Sequence, residues 1–240
     1  MFLRSALAGL MTCMLCACGT QAAGPFAGPV ETAPKAYAAV RIGNGPIISP
    51  ETHPNIGHNI QGPSLVRVPD WVPNRLGRYY LYFADHKGAY IRLAYADRIE
   101  GPWKIHQPGA LNIVDTPFPH EPPPFTDQQM ADYRVRAKAA GLDLDQFPDL
   151  AKEMTTPHVA SPDVHVDEAK KRFVMYYHGL ESFAQQVTRA ATSSDGIHFT
   201  SGKEILGRTY WRAFAHDGMT YVLAMPGVLY RSADPLSGFQ

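Results

Sequence analysis

The sequence predicts an all-β protein assembled from repeated four-stranded antiparallel units, the blades of a β-propeller. Three observations predict it. A turn motif recurs: Arg92–Trp103 reads RLAYADRIEGPW and Leu229–Phe239 reads LYRSADPLSGF, with a looser copy at Arg189–Phe199, RAATSSDGIHF. Each copy follows an aromatic strand: Tyr79–Phe83, Phe173–Tyr177 and Tyr221–Met225. The 11% aromatic content is broken by 21 Pro and 20 Gly, which favours many short strands over long helices. A β-sandwich also has short strands, but it does not repeat one turn chemistry at one place in each unit.

The chain opens on an expected address. Arg4 supplies a positive start, and Ala6–Leu15 is small or apolar apart from Thr12. That run is shorter than the roughly 20 apolar residues needed to span a bilayer. It leads into Leu15-Cys16-Ala17-Cys18, similar to a bacterial lipobox, so residues 1–18 read as a lipoprotein signal peptide with Cys18 as the lipidated residue. The alternative is an ordinary signal peptide cut near Ala22 or Ala23. All three cysteines lie inside this segment, which leaves an exported domain built without disulfides. Residues 19–45 then read as a flexible tether. The expected location is the cell envelope, outer membrane or periplasm, with the membrane met through the anchor only.

Residues 46–240 read as a partial propeller of about two and a half blades. A Pro-led alternating run, Pro63–Val68, precedes the first aromatic strand, and Pro162–Asp167 precedes the second. Between these blades, about 107–157, lies a helical insertion with a Pro-rich start at Pro117, Pro119 and Pro122–Pro124. Thr126 is placed to cap a helix over Asp127–Ala140 that stops at Gly141, and a second helix is expected over Asp145–Met154. Such an insertion either lines a site or decorates the fold. The third copy stops where Phe239 holds the place of Trp103, so its outermost strand is expected beyond Gln240, and the chain reads as C-terminally truncated.

With these strands placed, the chain resembles the five-bladed hydrolases of glycoside hydrolase family 43 and their relatives in families 32 and 117. The residues that carry this are Gly62-Pro63-Ser64-Leu65-Val66, Tyr79–Ala84, Leu93–Asp97 with Gly101-Pro102-Trp103, and Val159-Ala160-Ser161-Pro162-Asp163-Val164-His165. The resemblance implies carboxylates at the mouth of an axial channel: one protonates the leaving oxygen, and another activates water or attacks the sugar. It places the usual base directly before the Pro of the first inner strand. Here that position is Gly62, and its counterpart in the second blade is Ser161. The acid is expected from a later blade.

The catalytic candidates are Asp85, Asp163 and Glu181. Asp85 and His86 end an aromatic strand, as a base with an orienting partner or as a capped turn. Asp163, His165 and Asp167 alternate on one strand and share a face. The substrate-binding candidates are Asn59, Gln61, His86, His165, His178, Arg189, Trp211 and Arg212. The two arginines suit the carboxylate or sulfate of an acidic sugar, although an Arg so placed more often pairs with a neighbouring Asp. Trp71 and Trp211 are the stacking candidates, while Trp103 and Phe199 are expected between blades. No His or Cys spacing suits a metal, and a structural calcium has no motif behind it. No cofactor is expected. The 22 basic and 22 acidic side chains balance, which speaks against a nucleic-acid partner. The sequence thus predicts a glycosidase acting on an extracellular plant or algal oligosaccharide; the alternatives are a non-catalytic glycan-binding propeller and an inactive truncated chain.

Overall fold

Each predicted aromatic run forms the second strand of its own antiparallel sheet in the computed structural model of the chain, which describes residues 38–43 and 45–240. The architecture below lies in the unit Ile42–Gln240. The segment expected to be a leader, 1–18 with Cys18, and most of the expected tether lie outside the described residues. Among those described, no helix is long and apolar enough to cross a membrane.

The first sheet is a meander of β1 (Ile60–Arg67), β2 (Tyr79–Asp85), β3 (Tyr90–Ala96) and β4 (Lys104–Asn112). The second repeats it with β5 (Val159–Asp167), β6 (Arg172–Ser182), β7 (Gln185–Ser193) and β8 (Thr200–Ser201). The third is three-stranded, with β9 (Arg212–His216), β10 (Met219–Ala224) and β11 (Val228–Ser232). Two boundaries differ from expectation. β4 runs on to Asn112, past the start expected for the insertion. The inner strands β1 and β5 begin before their prolines, because each tolerates Pro at a bulge: the register shifts between Gln61 and Ser64, and between Ala160 and Asp163.

The recurring turns build recurring joints between sheets. Tyr82 of β2 donates its hydroxyl to the carbonyl of Gly196 at 2.6 Å, and Tyr176 of β6 donates to the carbonyl of Pro235 at 2.7 Å. Gly196 and Pro235 each follow the Asp of their turn. Phe199 meets Tyr82 edge-on at 5.8 Å, and Phe239 meets Tyr176 edge-on at 6.3 Å. Phe199 therefore packs between sheets, as expected. Trp103 instead packs on the opposite face of the first sheet, with Leu81, Phe83 and the preceding Ile48 and Ile56.

The inner strands are tied by a second repeated device. Gly62, Ser161 and Tyr210 each take positive φ (62°, 49° and 60°) two residues before Ser64, Asp163 and Arg212. Ser64 Oγ accepts the backbone N–H of Val164 at 2.8 Å, and Asp163 Oδ2 accepts that of Ala213 at 2.7 Å. Glycine is required at position 62: a Cβ there would fall 2.6 Å from Ser161 Cα.

The insertion carries α1 (Asp127–Ala139) and α2 (Leu150–Thr155). Thr126 and Gln129 form a capping box at the start of α1, and Gly141 follows its end at φ 76°. The second helix starts five residues later than expected. Pro148 disfavours helix in the residue before it, and Asp149 caps α2 by accepting the N–H of Lys152 at 2.9 Å. Phe183, at the β6–β7 hairpin, stacks on Phe125 at 4.7 Å and meets Tyr133 of α1 edge-on. Ala184 N donates to Met154 O at 2.9 Å. The insertion is therefore anchored at the end where the chain enters the inner strands.

Candidate functional site

At that end, which we call the mouth, polar groups from both four-stranded sheets and the insertion converge. The β2–β3 hairpin supplies His86 and Lys87. Gln61, beside the bulge of β1, lies 3.0 Å from His86 Nδ1 through its side-chain amide. Glu153 of α2 sits 3.2 Å from Lys87 Nζ and 3.7 Å from His86 Nε2, and Lys87 also donates to the carbonyl of Glu153 at 2.9 Å.

Beneath this layer lie two buried histidines. His158, just before β5, and His178, near the end of β6, are each 2% exposed, with ring centroids 5.9 Å apart. Burial pulls His158 down to about 4 and His178 to about 3, and the nearby Lys87 ammonium pushes both the same way. Both are neutral imidazoles at neutral pH. His158 Nδ1 lies 2.8 Å from Thr156 O, whereas His178 Nδ1 is buried without a protein partner. Tyr210 covers His178 at 4.5 Å between ring centroids. Burial, then the charge of Glu153, pushes the Tyr210 phenol upward.

Beyond Tyr210 opens a cleft of about 830 Å³ between the insertion and the mouth-side edges of the second and third sheets. Tyr133 and Met154 form one wall, Gln185 and Gln186 the floor of the β6–β7 hairpin, and Tyr210 and Tyr230 the other wall. The insertion thus lines a concavity.

The carboxylates singled out in the sequence have structural partners. Asp85 accepts the N–H of Asn59 at 2.8 Å and lies 3.9 Å from Arg92, holding the segment that leads into β1. Asp163 joins the second sheet to the third through Ala213, with His165 Nε2 at 2.9 Å and Arg212 at 4.0 Å. Glu181 pairs with Arg189 at 2.8 Å. Arg189 is a correction to the substrate-binding set: it is 4% exposed, lies over the Phe118 ring and donates to Lys203 O. Trp211 is a second correction. It is 2% exposed and packs against Tyr176, Tyr230 and Phe239.

The other candidates divide between two places. Gln61, His86 and His178 meet at the mouth. His165 lines a separate groove of about 250 Å³ between the second and third sheets, beside Tyr176 and Phe214. Asn59 is exposed and contributes its backbone N–H. Arg212 is half-exposed and donates to Trp211 O at 2.9 Å. Trp71, in the β1–β2 loop at the opposite end of those strands from the mouth, donates its indole N–H to Glu168 at 2.6 Å and leans on Phe173. Sequence reasoning missed Glu153, His158, Tyr133, Tyr210 and Tyr230. Only the insertion's length pointed toward the first and third. Among the described residues, no group of three or more His, Cys, Asp or Glu side chains converges as a metal site.

No family model matches the chain. It is similar to the "Uncharacterized protein R118" of Acanthamoeba polyphaga mimivirus, with 31% identity over 193 residues, which is 76% of this chain and 46% of that protein. The chain therefore spans less than half the length of this relative. Among solved structures it is similar to an α-L-arabinofuranosidase of Clostridium thermocellum, at 16% identity and TM-score 0.44, over 77% of this chain and 51% of the other. A family 117 glycoside hydrolase of Zobellia galactanivorans gives 16% identity and TM-score 0.41, over 68% and 41%. An N-acetylgalactosamine deacetylase of F. plautii gives 10% identity and TM-score 0.45, over 76% and 53%.

Proposed function

We propose that this chain belongs to an exported glycoside hydrolase, anchored through Cys18, that cleaves extracellular plant or algal oligosaccharides by carboxylate acid–base chemistry on a five-bladed propeller. The observation that carries the reading is the mouth itself. Gln61, His86 and Tyr210 offer hydrogen-bonding and stacking groups to sugar hydroxyls and ring faces. Glu153 brings a carboxyl group beside them, next to a cleft of ligand size. Glycoside hydrolysis needs two carboxyl groups. Glu153 and Asp85, the latter at the end of the same strand that leads to His86, are the two we assign.

A second reading has its own support. The usual base position is Gly62, and Asp85, Asp163 and Glu181 are all engaged in structural bonds. A non-catalytic glycan-binding surface fits these facts.

The test is to incubate the full chain with oligosaccharides of arabinose, xylose and β-1,3-linked galactose and to follow products by chromatography, with Glu153→Gln and Asp85→Asn alongside. Cleavage that either folded variant loses supports the hydrolase. Retention of an oligosaccharide with no cleavage supports the binding surface, and neither cleavage nor retention removes both readings.

A further inference from the structure

We infer that the cleft beyond Tyr210 is an extended subsite for a neutral oligosaccharide, built by the insertion. The inference rests on the carbohydrate reading above and deepens it by naming the ligand's length and charge.

The cleft is continuous with the mouth. Glu153 and Met154 are neighbours on α2, yet the first faces Lys87 and His86 at the mouth and the second lines the cleft. Tyr210 likewise covers His178 and lines the cleft. A chain with one unit at the mouth therefore extends into the cleft without leaving the surface. The volume, about 830 Å³, lies within the range of roughly 300–1,000 Å³ typical of small-ligand sites.

The lining then selects the chemistry. Tyr133, Tyr210 and Tyr230 present ring bodies with a polar tip, suited to the apolar face and the hydroxyl edge of a sugar ring. Gln185 and Gln186 each bring an amide that both donates and accepts, as a hydroxyl requires. Among the described residues lining the cleft, Arg208 is the one charged side chain, and it is exposed. A sulfated or uronic chain would need its charges matched pairwise to offset desolvation, and one exposed guanidinium does not do so. The walls are also held in place. Tyr230 packs on Trp211 with centroids 5.7 Å apart, Tyr133 meets Phe183, and Ala184 N holds the carbonyl of Met154.

The experiment measures the affinity of the full chain for neutral xylo-, galacto- and gluco-oligosaccharides of two and six units by calorimetry. Tyr133→Ala and Tyr230→Leu are measured in parallel; the second keeps apolar contact with Trp211, and melting temperatures confirm folding. The expected result is about tenfold tighter binding of six units than of two, with the gain reduced in both variants. Equal affinity for two and six units, or a length gain that survives both substitutions, overturns the subsite and leaves the carbohydrate reading standing. Tighter binding of a sulfated or uronic chain of equal length overturns the neutral ligand. Binding of no saccharide in either series removes the parent reading, and the subsite with it.

Discussion

Tyr82 donates its hydroxyl to the backbone carbonyl of Gly196 at 2.6 Å, joining the first sheet to the turn that closes the second. The same bond recurs from Tyr176 to Pro235 one sheet further on. The two bonds show why the turn repeats in sequence. The Asp-containing turn presents one carbonyl at a set height, and the aromatic strand of the preceding sheet supplies the phenol that meets it.

Removing either hydroxyl leaves a carbonyl, buried at Gly196 and partly buried at Pro235, without its partner. Tyr82→Phe and Tyr176→Phe are each expected to lower stability by about 1–3 kcal/mol. The interfaces are separate, so the double variant should lose close to the sum. Urea unfolding of the four proteins measures this.

Asp163 is the corresponding pin between inner strands. Asn keeps an oxygen for the N–H of Ala213, so Asp163→Asn should cost about 1 kcal/mol, whereas Asp163→Leu leaves that donor unpaired and should cost about 2–4 kcal/mol. A stability loss in Asp163→Leu no greater than in Asp163→Asn would show that the pin is not what holds the sheets together. Guanidinium midpoints of the two variants decide.

Gly62 tests the close approach of the two bulges. Gly62→Ala combines a positive φ with a contact of 2.6 Å to Ser161 Cα, and a loss of about 2–4 kcal/mol is expected. Gly218→Ala, also at positive φ but with open space around it, should cost only about 1 kcal/mol. Thermal melts of the pair separate backbone strain from the clash.

The buried histidines give stability a defined pH dependence. Their folded values, about 4 for His158 and about 3 for His178, lie below the ordinary 6.5, so the unfolded chain binds more protons as pH falls. Their contribution is fully present above about 6.5 and is lost as pH falls toward 4 and 3. Between pH 7 and pH 4.5 we expect a loss of about 2.5 kcal/mol from each histidine, on the order of 5 kcal/mol from the two together. His178→Gln should flatten that slope while lowering stability at pH 7, read from chemical denaturation at both pH values.

Glu153 and Lys87 form a partly exposed pair, so Glu153→Gln should change stability by less than about 1 kcal/mol. Its effect on saccharide cleavage or binding should be at least about tenfold if the carboxyl acts at the mouth. The comparison of melting temperature with activity separates the two roles.

The periodic features of the fold were legible in the sequence, because they are local. The uninterrupted apolar runs Tyr79–Phe83 and Phe173–Tyr177 set two-sided burial, the Asp turns bond to their own backbone, and Thr126 with Gln129 writes a helix start that neighbours need not supply. The inter-sheet role of Phe199 was legible for the same reason. The helix after Pro148, the end of β4 and the core position of Trp211 were settled by local sterics and packing that patterning does not resolve. The site was legible only in part. Gln61, His86 and His178 were singled out in the sequence, and they lie together because strand ends in successive sheets face one end. Glu153, Tyr133 and Tyr210 were not, since helix α2 reaches Lys87 across a separation of 66 residues and Tyr210 reaches His178 across another sheet. The sequence by itself thus determined which segments become repeated sheets and where their turns lie, through bonding within each unit. Only the tertiary structure decided which carboxylates are bound up as inter-sheet pins and which side chains share the mouth, because those identities depend on contacts between units that no local pattern encodes.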